Sequence, residues 1–347
     1  MRGVWIGVGI TVVLLLAALG VWFWNNMNYD RGDAEAIREA GFVEKQHELQ
    51  DGTVLNYGEG PDSGPPLLLI HGQQSAWQSY ATVLPQLAEH FHVFAVDKHG
   101  HGESSKDPAK YRAAAMGSDL AAFIEEVIGE PVMLSGHSSG GLLSVWLSAN
   151  APELVRRMVL EDPPLFSTEP DRREATFAWQ DSFRNIHNFL NQDEETSYRR
   201  WYLEHTALQR MFGDSWDGIR NYANSYIDRN PDRVLRVFFL PPSLNRAFAL
   251  LDGPYDLRFG DTFYDGSWFA GFDQAETLSR VQAPTVVIHA NWQYDDDGLL
   301  LAAMDGDDAA RAVSLLPAGR LVNIDSGHGV HAEKPDEFVE VLLEHFL

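Results

Sequence analysis

Six short, largely apolar runs recur along this chain, at residues 67–70 (LLLI), 92–96, 132–134, 158–160, 285–288 and 321–324, and helix-like stretches such as 80–89, 118–128 and 142–149 lie between them. A strand that is apolar at consecutive positions has no solvent face, so both of its sides must be covered. Such strands alternating with helices predict an α/β chain with a mostly parallel, doubly wound sheet. Ahead of them, 42–49 and 54–57 flank the turn signal Asp51-Gly52 and predict two further strands.

The regularity breaks between 166 and 270. These 105 residues hold 21 of the chain's 40 Phe, Trp and Tyr, with helix-like periodicity and the breaks Pro241-Pro242 and Gly253-Pro254. The expectation is a helical lid, whose aromatics either form a small core of their own or line a hydrophobic pocket over the sheet. The organisation then reads as an anchor and short N-terminus over 1–27, a stalk over 28–41, a core in two parts over 42–165 and 271–347, and the lid over 166–270.

The anchor is read from residues 3–24, which carry no charge over 22 positions, enough to cross a hydrocarbon core of about 30 Å. The apolar core of a signal peptide is shorter, about 7–15 residues, and it ends in a small-residue cleavage pattern absent after this segment. Trp5, Trp22 and Trp24 sit at its ends, where interfacial aromatics belong. Arg2 precedes it, while Asp30, Arg31, Asp33 and Glu35 follow. A single-pass membrane segment with the globular part outside the cytoplasm is expected. Composition narrows the partners: 50 acidic against 26 basic residues give a formal charge of −24, which argues against nucleic acid. Cysteine is absent, which removes thiol nucleophiles, disulfide scaffolds and Cys-ligated zinc.

The clearest chemical signal is Gly136-His137-Ser138-Ser139-Gly140. An apolar run precedes it and a helical stretch follows, and a tight strand-to-helix turn forces the serine into strained dihedrals that the flanking glycines accommodate. The hydroxyl then lies near a helix N-terminus, which favours developing negative charge. Ser138 is therefore the candidate nucleophile. Acyl transfer also needs N–H groups aimed at an oxyanion. Ser139 supplies one, and Gln73, on the His71-Gly72-Gln73 loop after 67–70, supplies the other. His71, Gly72, Gln74 and His137 are the expected substrate neighbours. Among 13 histidines, His328 lies just past the last predicted strand and is the candidate base, with His331 as competitor. The acid that orients the base is expected after 285–288, at Asp295. Asp296, Asp297 and, after 158–160, Asp162 are the alternatives.

Together these residues resemble the α/β-hydrolase superfamily in its lid-bearing branch. The run 97–104 (DKHGHGES) looks like that family's D-x-x-G-x-G-x-S loop, and 327–335 (GHGVHAEKP) looks like its G-H-x-x-x-x-E-x-P ending. The resemblance covers nearly all of 42–347 and implies hydrolysis through an acyl-enzyme, with esters first and amides, lactones and activated carbon–carbon bonds beside them. Two departures stand out. Ala290-Asn-Trp-Gln293 occupies the frame where members often carry Gly-Glu-x-Asp, which displaces the acid. A serine nucleophile, in place of aspartate, speaks against the epoxide-hydrolase and haloalkane-dehalogenase members. His99-x-His101 reads as structural rather than metal-binding, and a calcium loop starting at Gln293 fails because Met304 stands at its twelfth position. No phosphate loop or dinucleotide fingerprint occurs, so no metal and no cofactor are expected. The reading is a membrane-tethered serine hydrolase for a small apolar acyl substrate. A non-catalytic ligand-binding protein on the same fold and an acyltransferase are its alternatives.

Overall fold

The structure, a computed structural model, describes residues 2–347, with side chains from Val13 onward. Its strands are β1 (Val43–Glu48), β2 (Val54–Glu59), β3 (Pro66–Ile70), β4 (His92–Val96), β5 (Val132–His137), β6 (Val155–Glu161), β7 (Thr285–His289) and β8 (Gly319–Asn323). They form one sheet in the order β1-β2-β4-β3-β5-β6-β7-β8. β1 pairs antiparallel with β2, and β2 with β4, whereas β4, β3, β5, β6, β7 and β8 run parallel.

The apolar runs fall on the inner strands for the expected reason. On β3, Leu67 and Leu69 belong to one buried cluster and Leu68 and Ile70 to another. The same alternation divides Val93 and Ala95 from Phe94 and Val96 on β4. Side chains two apart share a face, so each inner strand feeds two cores, and each fully buried Leu or Phe contributes about 1.5–3 kcal/mol of transfer free energy. β1 is an edge strand, and its sequence VEKQHE is charged and mostly exposed, which discourages pairing with another chain.

Two compact units can be distinguished by contact density, one of Met1–Gly32 with Leu208–Asp252, the other of Asp33–Ala207 with Gly253–Leu347. The stretch expected as one helical lid, 166–270, therefore contributes to both. It is helical in each, with helices such as Arg184–Leu190 and Leu257–Asp265 in the larger unit and Trp216–Arg229 and Pro242–Ala249 in the smaller. In the larger unit Trp179, Phe183, Phe259, Phe263 and Trp268 join the core on one face of the sheet.

In the smaller unit, Arg2–Met27 forms one 26-residue helix. Its C-terminal end is fastened to the 208–252 segment: the Phe23 ring lies 5.6 Å from Phe238, and Asn26 Nδ2 donates to the Phe238 carbonyl at 3.1 Å. Arg236 grips the Asp30 carboxylate at 2.7 and 3.0 Å, and the guanidinium groups of Arg236 and Arg246 lie 4.9 and 5.0 Å from the Tyr29 ring centre. Along the same helix Val13, Leu14, Leu15, Leu16, Leu19 and Val21 are each about 60% exposed. Among the described residues no helix is long and apolar enough to cross a membrane. Residues 3–12 of the expected span lie outside those whose side chains are described.

Candidate active site

β5 ends at His137, and the helix Ser139–Asn150 begins two residues later. The residue between them, Ser138, has φ 53° and ψ −123°, a region where a non-glycine residue stays only if its surroundings hold it. Crowding explains the glycines. A Cβ on Gly136 would lie 2.3 Å from Ser144 Oγ, and one on Gly140 would lie 2.1 Å from the Ile70 carbonyl oxygen. The turn is thus pressed against the end of β3. Ser139, as first residue of its helix, has no preceding helical carbonyl for its N–H.

The loop leaving β3 reaches the same spot: a Cβ on Gly72 would sit 3.1 Å from Ser138 Cβ and 2.9 Å from His137 Nδ1. On that loop the Gln73 side chain accepts a hydrogen bond from Tyr255 Oη at 2.7 Å, and its buried Nε2 has no hydrogen-bond partner among the described residues. Gln74 adopts φ 56° and points Nε2 at Ser182 Oγ, 3.5 Å away. His71 differs from the expectation of a substrate neighbour. It is fully buried, its Nδ1 donates to the Gly72 carbonyl at 2.7 Å, and its Nε2 accepts from the Lys98 amide at 3.3 Å. Burial, with the Lys98 charge, holds its pKa well below the ordinary histidine value, so it is a neutral ring that shapes the loop.

His328 follows β8, and its Nδ1 donates to Asp162 Oδ2 at 2.7 Å. The carboxylate that meets His328 is therefore that of Asp162 and not that of the expected Asp295. Asp162 directly follows β6, is 2% exposed, and takes φ 41°, which turns its carboxylate toward the histidine loop. Its other oxygen, Oδ1, accepts from the Ala290 amide at 3.2 Å. Asp295 instead closes its own turn, accepting from the Asp297 and Leu299 amides at 3.0 and 2.8 Å. Asp296 and Asp297 are exposed on that same turn. Partial desolvation disfavours a charged His328, but the Asp162 hydrogen bond and the charges of Asp162, Glu161 and Glu333 outweigh it, and its pKa is raised.

His331, the competing base, is turned inward. It is 4% exposed, and both its amide and its Nδ1 donate to Glu161 Oε1 at 2.8 Å. Glu161 has no exposed surface. Burial raises its pKa, yet the neighbouring His331 and His137 bring it below the usual carboxylate value. His137 lies between the two histidines, its ring centre 4.7 Å from that of His328 and 5.1 Å from that of His331. Its Nε2 donates to the His328 carbonyl at 3.0 Å, which ties the histidine loop to the serine turn. His137, Glu161 and His331 place ligand-type atoms within 4.8 Å of one another and could hold a metal ion, though their hydrogen bonds already pair them. His99 and His101 bond elsewhere, to Asp119 at 2.6 Å and to the His99 carbonyl at 2.9 Å.

Sequence reasoning missed the Glu161–His331 pair, the Tyr255 contact to Gln73, and buried Lys98. Asp162, an alternative in the sequence, carried its own signal: Glu161-Asp162-Pro163-Pro164 places carboxylates at a strand end just before two residues that cannot continue it. A cleft of about 420 Å³ opens elsewhere, among Glu169, Arg173, Phe269 and Phe272, and none of Ser138, His328 and Asp162 lines it.

Known proteins share this fold. Residues 65–335 match the α/β hydrolase fold family. The chain is 28% identical over 180 residues to (E)-2-((N-methylformamido)methylene)succinate hydrolase of Acinetobacter baylyi, covering 49% of this chain and 64% of that protein. It is 32% identical over 100 residues to a soluble epoxide hydrolase of a Corynebacterium species, covering 29% of this chain and 35% of that one. The chain thus spans between about a third and just under two thirds of these relatives' lengths. The solved structure of a bacterial membrane phospholipase A superposes with a TM-score of 0.60 at 20% identity, covering 99% of this chain and 97% of that one. With a matched region that runs from the start of β3 past His328, the chain belongs to the α/β hydrolase fold family.

Proposed function

We propose that this protein is a serine hydrolase that cleaves an ester or related acyl bond of an apolar substrate, held at a membrane by its N-terminal helix. The observation that carries the reading is the 2.7 Å bond between His328 Nδ1 and Asp162, on a loop fastened beside Ser138 at the strand-to-helix turn. With Nδ1–H engaged by the carboxylate, Nε2 is the free basic nitrogen. In this mechanism it takes the Ser138 proton as the oxygen attacks the acyl carbon. The Gln73 and Ser139 amides receive the oxyanion, and His328 returns the proton to the leaving group. Water then repeats the sequence on the acyl-enzyme. Asp162 stabilises the imidazolium at both stages.

The tether is supported by the exposed apolar side chains along the helix Arg2–Met27 and by Trp22 and Trp24, 44% and 54% exposed, near its end. An acyl substrate drawn from or near a lipid phase fits that placement.

The test is turnover of p-nitrophenyl esters of increasing chain length by the full chain beside Ser138→Ala. Turnover that vanishes in the variant supports the reading, and the chain-length optimum sizes the acyl site. Equal turnover by both proteins rejects it.

A further inference from the structure

Lys98 is the least expected residue near the site. Lysine rarely lies fully inside a protein, yet this one is 2% exposed. Its position follows from the sheet: β3 and β4 pair in parallel with Ile70 opposite Val96, so the residues that leave the two strands, His71-Gly72 and Asp97-Lys98, emerge side by side. Asp97 turns to other donors, the Trp77 amide at 2.7 Å and Asn56 Nδ2 at 2.8 Å. Lys98 Nζ instead reaches the His71 and Gly72 carbonyl oxygens, at 2.7 and 2.5 Å, and lies 3.5 Å from His71 Nδ1.

The second of those carbonyls has a consequence at the nucleophile. The Gly72 C=O and the Gln73 N–H belong to one peptide plane, and in a trans peptide they point in opposite directions. A donor that holds the oxygen on the β4 side therefore turns the N–H away from β4. Two donors hold it: Lys98 Nζ and, at 2.7 Å, His71 Nδ1. β5, which leads into the Ser138 turn, pairs with β3 on the side away from β4, and a Cβ on Gly72 would lie 3.1 Å from Ser138 Cβ. A flipped plane would aim a carbonyl oxygen at the oxyanion and leave the buried Nζ and imidazole donors short of an acceptor.

We propose that Lys98 is the positioning residue of the oxyanion hole, its Nζ holding the Gly72 carbonyl so that the Gln73 N–H stays directed at the acyl oxygen on Ser138. Burial pushes its pKa well below the usual lysine value while the Asp97 charge pushes back, and either form of the amine keeps N–H donors for both carbonyls. The inference rests on the hydrolase reading of Ser138 given above.

The experiment compares full-chain wild type, Lys98→Met and Ser138→Ala in p-nitrophenyl ester kinetics and in inhibition by an alkyl boronic acid, whose tetrahedral anionic adduct with serine places an oxygen where the oxyanion would lie. Complete loss of an oxyanion donor costs about 10²–10³ in kcat. Because His71 still holds Gly72, Lys98→Met should lose about 10–100-fold in kcat with KM changed by less than about threefold, and boronate affinity should fall by the same factor as kcat. A merely structural role would lower the active fraction and leave boronate affinity at the wild-type value, which overturns the proposal, as does wild-type kcat. If Lys98→Met does not fold, a crystal structure of the wild-type boronate adduct decides. A boronate oxygen on Gln73 N with Nζ on the Gly72 carbonyl upholds it, and either contact missing overturns it. Turnover by Ser138→Ala would instead defeat the hydrolase reading itself.

Discussion

Replacing Asp162 with asparagine tests the reassigned acid more sharply than deleting it. The carboxylate accepts two hydrogen bonds on separate oxygens, from His328 Nδ1 at 2.7 Å and from the Ala290 amide at 3.2 Å. Asparagine offers a single acceptor oxygen. If that oxygen stays with Ala290, the NH2 faces Nδ1, the ring must carry its proton on Nε2, and the nitrogen that should take the Ser138 proton is blocked. If the amide rotates, Ala290 N–H meets an NH2 in a buried position. The lost charge-assisted bond is worth about 1.5–3 kcal/mol, or about 10–150-fold in rate. The tautomer error brings the expected loss in kcat to the order of 10³–10⁴. Asp295→Asn keeps an oxygen for the Asp297 and Leu299 amides, so its kcat should change by no more than about twofold. Both variants are assayed on a p-nitrophenyl ester, with urea midpoints to verify folding. Equal losses in the two, or an Asp162→Asn enzyme above a tenth of wild-type kcat, would refute the assignment.

Further expectations follow from the same contacts. The proposed mechanism needs neutral His328, whose pKa is raised, so kcat/KM should fall on the acid side at a pH above the ordinary histidine value of about 6.5; Asp162→Asn should move that limb to lower pH in a pH–rate profile. Gly140→Ala drives a methyl against the Ile70 carbonyl and should cost about 3 kcal/mol or more by denaturant titration, with Ser138 misplaced in whatever folds. Glu161→Gln weakens the pair of bonds to His331 and should lower stability by about 1–3 kcal/mol, seen as a lower urea midpoint at constant slope. Because the Glu161 pKa is lowered on folding, that stability is present above the unfolded carboxylate pKa and is lost as pH falls through the folded value. Removing residues 1–24 should release the protein from carbonate-washed membranes, where the full chain stays behind.

The sheet was legible because its inner strands are buried on both faces, and two-sided burial writes an unbroken apolar run such as 67–70. The serine turn was legible because close packing, against Ser144 and the Gly140 backbone at 136 and against the end of β3 at 140, leaves no room for a Cβ at either position. The acid was harder to read. In the sequence, carboxylates follow two strand ends, after β6 and after β7, and which one meets His328 depends on the backbone at Asp162, which the pattern of residue types does not encode. The role of Lys98 was equally hidden, since it depends on the register of β3 against β4 and not on any motif. The single lid read from aromatic density became contributions to two units because the pairing of Leu208–Asp252 with the N-terminal segment spans the length of the chain.

In the proposed mechanism Ser138 is an activated nucleophile served by His328 and Asp162. The most direct measurement is reaction of the full-length protein with a fluorophosphonate, followed by peptide mass mapping. One stoichiometric adduct is expected, on Ser138, absent in Ser138→Ala and formed far more slowly in Asp162→Asn. A folded wild-type protein that takes no label, or takes it on another residue, would mean that Ser138 is not an activated nucleophile.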